Sequence, residues 1–252
     1  MKIATWNINS VRLRIKVILD FIKKYDVDII CLQETKTEDK YFPLEDFKQL
    51  GLVYSNIRGE KSYNGVAILS RVHFKKKNNI NWCRLNDSRH VSVVLPNNIV
   101  LHNFYVPSGG ELPDININPK FKHKIKFLNE MATYLNNKEQ RKIIVGDLNI
   151  APFENDVWSH KQLLNIVSHT PIETKAFQKI LKRGNLIDII RKNHKENEKI
   201  YSWWSYRNKD WTKSNRGRRL DHVLVSQSLE NKIQEQLICK KFRSIKQPSD
   251  HV

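Results

Sequence analysis

Apolar positions recur along this chain at two spacings. Alternating or short unbroken apolar runs predict strands over residues 2–6, 27–32, 65–70, 91–95, 99–106, 143–146, 201–206, 220–225 and 235–242. Spacings of three and four predict helices. One carries Ile15, Ile18, Leu19 and Ile22 behind an N-cap at Ser10, and a second carries Phe121, Ile125, Leu128, Ala132 and Leu135 behind Pro119. A third runs from Glu173 to Lys182 and stops at Gly184. Pro96-Asn97-Asn98 turns one strand back on the next, and residues 186–190 are short and apolar. Residues 40–62 read as loop with a short helix. Residues 153–172 lack a pattern, which in a compact domain marks a candidate functional loop. The strand–helix–strand start predicts parallel pairing, with both strands delivering polar residues at their C-terminal ends.

Those ends carry the candidate chemistry. Ile143-Ile144-Val145-Gly146 closes a buried strand and is followed by Asp147, Asn149 and Pro152. If the chain stays extended there, both polar side chains point the same way; an Asp/Asn turn is the other reading. Asn7 follows the first strand and Glu34 the second, where a helix cap is the plainer role for a glutamate. Tyr105 ends another strand, where packing is the plainer role for a tyrosine. Asp221 lies on the returning strand, and Asp250 and His251 close the sequence. Four carboxylates, one imidazole and no thiolate suit Mg²⁺ or Mn²⁺ rather than zinc, with a substrate phosphate completing the shell.

Charge adds a partner. The formal net charge of +18 favours an anionic surface, nucleic acid ahead of membrane, although a composition heavy in Lys, Ile and Asn also contributes. Residues 207–219 form a basic loop around Trp211, suited to phosphate contact with stacking; a solvated hairpin loop is the alternative. Cys31, Cys83 and Cys239 fit neither a zinc site nor a disulfide framework, which points to a reducing cytoplasm. The N-terminus meets polar residues at once, unlike a signal peptide, and no apolar run reaches the ~20 residues of a membrane span. With 40% hydrophobic residues and no repeat or linker, residues 1–252 read as one soluble domain.

Five blocks resemble a known family: Trp6-Asn7-Ile8-Asn9, Leu32-Gln33-Glu34-Thr35-Lys36, residues 146–152, Arg219-Leu220-Asp221 and Pro248-Ser249-Asp250-His251. They look like the exonuclease III family, the abasic-site endonucleases of the endonuclease/exonuclease/phosphatase superfamily, and they come in that family's order. The resemblance implies an α/β fold, a four-layer sandwich of two mixed β-sheets packed face to face with helices outside. It implies Mg²⁺-assisted hydrolysis of DNA phosphodiesters, 5′ to abasic sites or at 3′ ends, by a monomer on double-stranded DNA. Glu34 would be the principal Mg²⁺ ligand beside Asn7, with Asp147, Asn149, Asp250 and His251 completing the metal set. Asp147 would activate water, Asn149 would hold it, His251 oriented by Asp221 would donate to a phosphate oxygen, and Tyr105 would steady the phosphate or leaving group. Trp203, Trp204 and Leu220 would wall a sugar pocket, with Arg216 and Arg218 on the DNA. Arg218 stands where some relatives carry an aromatic. Family members continue past the last block into one more strand, whereas here only Val252 follows, so the expectation is either a truncated copy or a His251 on a frayed terminus. Two other readings compete: a superfamily phosphodiesterase for phospholipid, inositol phosphate or RNA, and a nucleic-acid binder with a degraded site.

Overall fold

The computed structural model describes residues 1–207 and 210–252. The first half runs β1 (Ile3–Asn7), α1 (Val11–Tyr25), β2 (Ile29–Gln33), α2 (Leu44–Lys48), β3 (Tyr54–Arg58), β4 (Val66–Ser70), β5 (Lys75–Lys76), β6 (His90–Leu95) and β7 (Ile99–Tyr105). The second half runs α3 (Pro119–Tyr134), β8 (Lys142–Asp147), α4 (His160–Leu163), α5 (Pro171–Gly184), β9 (Leu186–Asp188), α6 (Ile189–Lys192), β10 (Trp203–Trp204), α7 (Trp211–Ser214), β11 (Gly217–Arg218) and β12 (Asp221–Ser226).

Two mixed sheets form, ordered β1-β2-β4-β3 and β5-β6-β7-β8-β12-β9. The parallel pairs are β1–β2 and β7–β8. Ile29, Cys31, Val66 and Ile68 of the first sheet meet Val91, Val93, Leu101, Ile143, Val145 and Val225 of the second, all buried. Strand residues of opposite parity face outward. Ile30, Leu32, Ala67 and Leu69 pack under Ile18, Ile22 and Phe47 of α1 and α2. Phe104, Ile144 and Leu224 pack under Phe127, Leu128, Met131, Phe177 and Ile180 of α3 and α5. This is the expected four-layer sandwich. A polar bridge crosses between its sheets: Gln33 Nε2 donates to Asn103 Oδ1 at 2.7 Å, and Asn103 Nδ2 donates to Leu32 O and Ala67 O, each at 2.9 Å. Both backbone bonds land on the four-stranded sheet, so the amide pair fixes how the two sheets register just below the rim.

Several elements depart from expectation. The stretch read as loop hides β3, whose Asn56 and Arg58 are buried polar residues that break the apolar alternation. Residues 235–242 form no strand: Leu237 is exposed, and a 3₁₀ turn at Lys240–Arg243 packs Phe242 edge-on against Trp6 and Phe21. The expected strand over residues 201–206 shrinks to β10, which pairs with β11 from inside the supposed basic loop. Asn208 and Lys209 of that loop lie outside the described residues. Ser10 precedes α1 at φ +87° without a side-chain cap bond, and its backbone N–H donates to Glu34 O at 2.7 Å instead. Among the described residues, no helix is long and apolar enough to cross a membrane.

Candidate active site

Register puts three polar residues abreast on the six-stranded sheet. Tyr105 pairs with Asp147 across β7–β8, and Asp221 pairs with Asp147 across β8–β12. Asn7 ends β1 opposite Gln33, and Glu34 follows one residue later at φ +51°. Asn9 (φ +46°), Lys36 (φ +51°) and Asn149 (φ +53°) share that left-handed backbone around the same rim. Non-glycine residues adopt it at a cost, which concentrates at functional sites.

Asn7 Nδ2 donates to Glu34 Oε1 and to Asp147 Oδ2, each at 2.9 Å. One amide thus separates two carboxylates. Asp147 Oδ1 accepts from Asn149 N at 2.9 Å, and Asn149 Nδ2 donates to Val106 O at 2.9 Å and to Asp147 Oδ2 at 3.2 Å. The pair is therefore an Asx turn rather than two residues of an extended strand: β8 ends at Asp147, the left-handed Asn149 reverses the chain, and the amide returns to the carboxylate.

His251 is 4% exposed and far from frayed. Its backbone bridges Trp203, and Val252 N donates to Ser202 O at 2.9 Å. Trp6 Nε1 donates to His251 O at 3.0 Å, and Ser249 Oγ donates to Asn7 O at 2.6 Å. His251 Nδ1 sits 2.8 Å from Asp221 Oδ2, which Ser202 Oγ also bonds at 2.6 Å, while Nε2 points toward Asp147 Oδ2 at 3.7 Å. Burial alone would lower the imidazole pKa, but the Asp221 and Asp147 carboxylates prevail and push it up to about 10. Burial, reinforced by Asp221, lifts Asp147 to about 7 against the opposing pull of His251 and Asn7. At Glu34 burial is outweighed by the Asn7 amide and the Lys36 ammonium, 2.8 Å away, and the carboxyl lies below its ordinary value. Tyr105 is pushed well above 10 by burial and by the Glu34 and Asp147 carboxylates, so it remains a hydroxyl donor. Arg89 lies over the Tyr105 ring at 4.9 Å.

Asp147, Asp221 and His251 each offer an atom within 4.8 Å of one another, a cluster able to hold a metal ion. Among the described residues Asp221 Oδ1 is buried without a partner, and the carboxylates of Glu34 and Asp147 share the single Asn7 amide. Crowded oxygen acceptors with surplus negative charge fit a hard divalent cation. Asp250 stands apart from this cluster, its oxygens taken by Trp203 Nε1 at 3.0 Å and Asn9 Nδ2 at 3.2 Å.

Beside the acids lies an apolar wall of Ala151, Val157, Leu163 and Leu220, with Trp158 and Trp203 half-buried against it. Arg218 lies over Trp203 at 5.5 Å and Arg216 over Trp158 at 4.7 Å. Arg218 Nη1 donates to Val167 O and Ser168 Oγ at 3.0 and 2.8 Å. Trp204 is no part of the wall. It is fully buried, packed between Tyr201 and Trp211, with its indole N–H on Asn215 Oδ1. Adjacent strand residues face opposite sides, so Trp203 and Trp204 could not both line one pocket. The sequence reading gave no role to Trp158, half-buried in the unpatterned 153–172 stretch, or to Lys36, which ends the Leu32–Lys36 block two residues past Glu34.

A model of the endonuclease/exonuclease/phosphatase family matches residues 4–251. Exodeoxyribonuclease III of Haemophilus influenzae is 32% identical over 100% of this chain and 97% of its own length. The exodeoxyribonuclease of Bacillus subtilis is 30% identical over 93% of this chain and 92% of its own. An AP endonuclease structure from Archaeoglobus fulgidus superposes with a TM-score of 0.92 at 31% identity, covering 100% of this chain and 96% of that one. A Neisseria 3′ phosphatase solved with a product DNA hairpin gives 0.91 at 26% identity, with coverage of 100% and 96%. Fold and site define a hydrolase of the nuclease type. The chain belongs to the endonuclease/exonuclease/phosphatase family, with exodeoxyribonuclease III enzymes among its relatives.

Proposed function

We propose that this protein is a DNA-repair nuclease that hydrolyses phosphodiesters of double-stranded DNA, 5′ to abasic sites and at 3′ ends, with Mg²⁺ as its metal and Mn²⁺ as a substitute. One observation carries the reading: residues from 7 to 251 in sequence converge on a single acidic rim, with His251 paired to Asp221 on one side and an apolar, arginine-edged wall on the other. The whole chain, residues 1–252, therefore acts as one catalytic domain.

Glu34 and Asn7 would hold the cation, facing Asp147. Bound there, it would neutralise charge on the phosphate and ease its attack by water. Asp147, lifted to about 7, is placed to take the proton of that water. Asn149 fixes the carboxylate through both its backbone and side-chain amides. His251, held as imidazolium by Asp221, donates to a non-bridging phosphate oxygen. Tyr105 donates to the phosphate or the departing oxygen. Trp203 and Leu220 pack against the sugar, while Arg216 and Arg218 meet the DNA backbone.

The test offers the full chain a duplex with one abasic site, a 3′-phosphorylated duplex and an inositol phosphate, with Mg²⁺ and with chelator. Cleavage of the DNAs in Mg²⁺ alone is expected. Turnover restricted to the inositol phosphate would assign the site to another phosphodiesterase.

A further inference from the structure

Lys124 breaks the apolar stripe of α3: it falls three residues after Phe121 and four before Leu128, and it is fully buried. A buried ammonium needs acceptors for all three hydrogens. Lys124 Nζ donates to Asn149 O at 2.7 Å and Ser108 O at 3.2 Å and pairs with Glu173, itself fully buried. Glu173 is the acidic member of the capping box that opens α5. Its carboxylate accepts Ser168 N at 3.0 and 2.9 Å, Thr170 N at 3.1 Å and Thr170 Oγ1 at 2.7 Å. Ser168 Oγ and Val167 O in turn accept from Arg218. Gly109, at φ +92°, makes room: a Cβ there would come within 2.9 Å of Lys124 Cδ and 3.1 Å of Val167 Cγ1. One ion pair thus joins three loops, the one after Tyr105, the Asp147–Asn149 turn and the one that holds Arg218.

We propose that Lys124 and Glu173 form a positioning pair that fixes these three loops around the reacting phosphate without touching substrate. The proposal rests on the nuclease reading above. A buried ion pair is by itself weak evidence for a stabilising role, because apolar side chains of similar volume often replace one at no loss. Leucine and methionine, however, offer nothing to the Asn149 and Ser108 carbonyls. A shift of about 1 Å at a reacting group costs on the order of 100-fold in rate.

The experiment compares Lys124→Met, the double variant Lys124→Met/Glu173→Leu and the wild type, each as the full chain. The single change strands Glu173 and lowers Tm; the double change removes that stranded charge but leaves the Ser168 and Thr170 donors unpaired, so it recovers only part of the loss. In the double variant, amide exchange at residues 108–110 and 149–151 rises at least about tenfold. On abasic duplex its kcat falls about 10- to 100-fold while KM stays within about threefold. Wild-type exchange in those loops together with wild-type kcat would make the pair structural and overturn the proposal. Should the double variant not fold, Lys124→Met assayed about 10 °C below its own Tm gives the same decision: lowered kcat at constant KM supports positioning, wild-type kcat refutes it. Exchange is read without DNA, so a wild-type enzyme that cleaved none would refute the nuclease reading while the tether stayed measurable.

Discussion

Asp147 is the residue on which most of the site's bonds close. Its two oxygens take Asn7, the Asn149 backbone and the Asn149 amide, with His251 just beyond. Asp147→Asn keeps the shape and removes the base. Turnover of abasic duplex should fall by about 10²- to 10⁴-fold with the DNA Kd within about threefold; near-wild-type turnover would remove water activation from Asp147. Glu34→Ala should raise the Mg²⁺ concentration needed for half-maximal rate, with binding to DNA little changed. Arg218 lies over the Trp203 ring and is held by Val167 O; in the proposed complex its charge would favour an anionic 3′ end and its bulk would crowd a neutral sugar. Arg218→Ala should therefore shift the ratio of abasic incision to 3′-phosphate removal upward by at least about threefold, and an unchanged ratio would discharge Arg218 from specificity. The acids and His251 were legible because strand ends and family blocks coincide. Trp204's burial was not, because alternation separates Trp203 from Trp204 without saying which of the two faces the core.

Among the elements, β6 and β7 carry a pair with a measurable signature. His90 and His102 face each other at 3.1 Å, fully buried. Burial pushes His90 well below its usual range and His102 down to about 3. The unfolded chain takes up protons on both below about pH 6.5, whereas the folded chain does not. Their contribution is therefore complete above pH 6.5 and is lost as pH falls toward 3, at about 2.7 kcal/mol per pH unit for two imidazoles. His102→Leu should lower the slope of unfolding free energy between about pH 6 and pH 4 by about 1.4 kcal/mol per unit; an unchanged slope would mean the pair is not held neutral. Arg219, part of a block that seemed to belong to the site, holds elements together instead. It is buried and bonds both oxygens of Asp156 and of Asp188, plus His222. Arg219→Leu should cost about 3–5 kcal/mol in denaturant unfolding, because two buried carboxylates lose their shared guanidinium and, among the described residues, only Asp156 keeps another, that of Arg191. Long helices and central strands could be read from periodicity. β3, β10 and β11 could not, since buried polar residues or two-residue lengths erase the signal.

The whole molecule carries +18 formal charges, and Arg216 and Arg218 stand at the edge of the acidic rim rather than within it. In the proposed complex that division would send the phosphate backbone to the edge and leave one phosphate facing the acids. DNA affinity should fall linearly in log–log form with salt, and Arg216→Ala should reduce the slope by about 1. The strands and helices were visible from periodicity, but their order in layers came from the family resemblance. The closure of the chain's end onto Trp203 and Ser202 was not visible, because two backbone bonds carry it. The most direct measurement is incision of a single-abasic-site duplex by the full chain, with Mg²⁺ and with chelator, beside Asp147→Asn. A nick 5′ to the lesion in Mg²⁺ alone, absent from the variant, is the predicted result. A well-folded wild-type chain that leaves both the abasic and the 3′-phosphorylated duplex intact, with Mg²⁺ and with Mn²⁺, would contradict it.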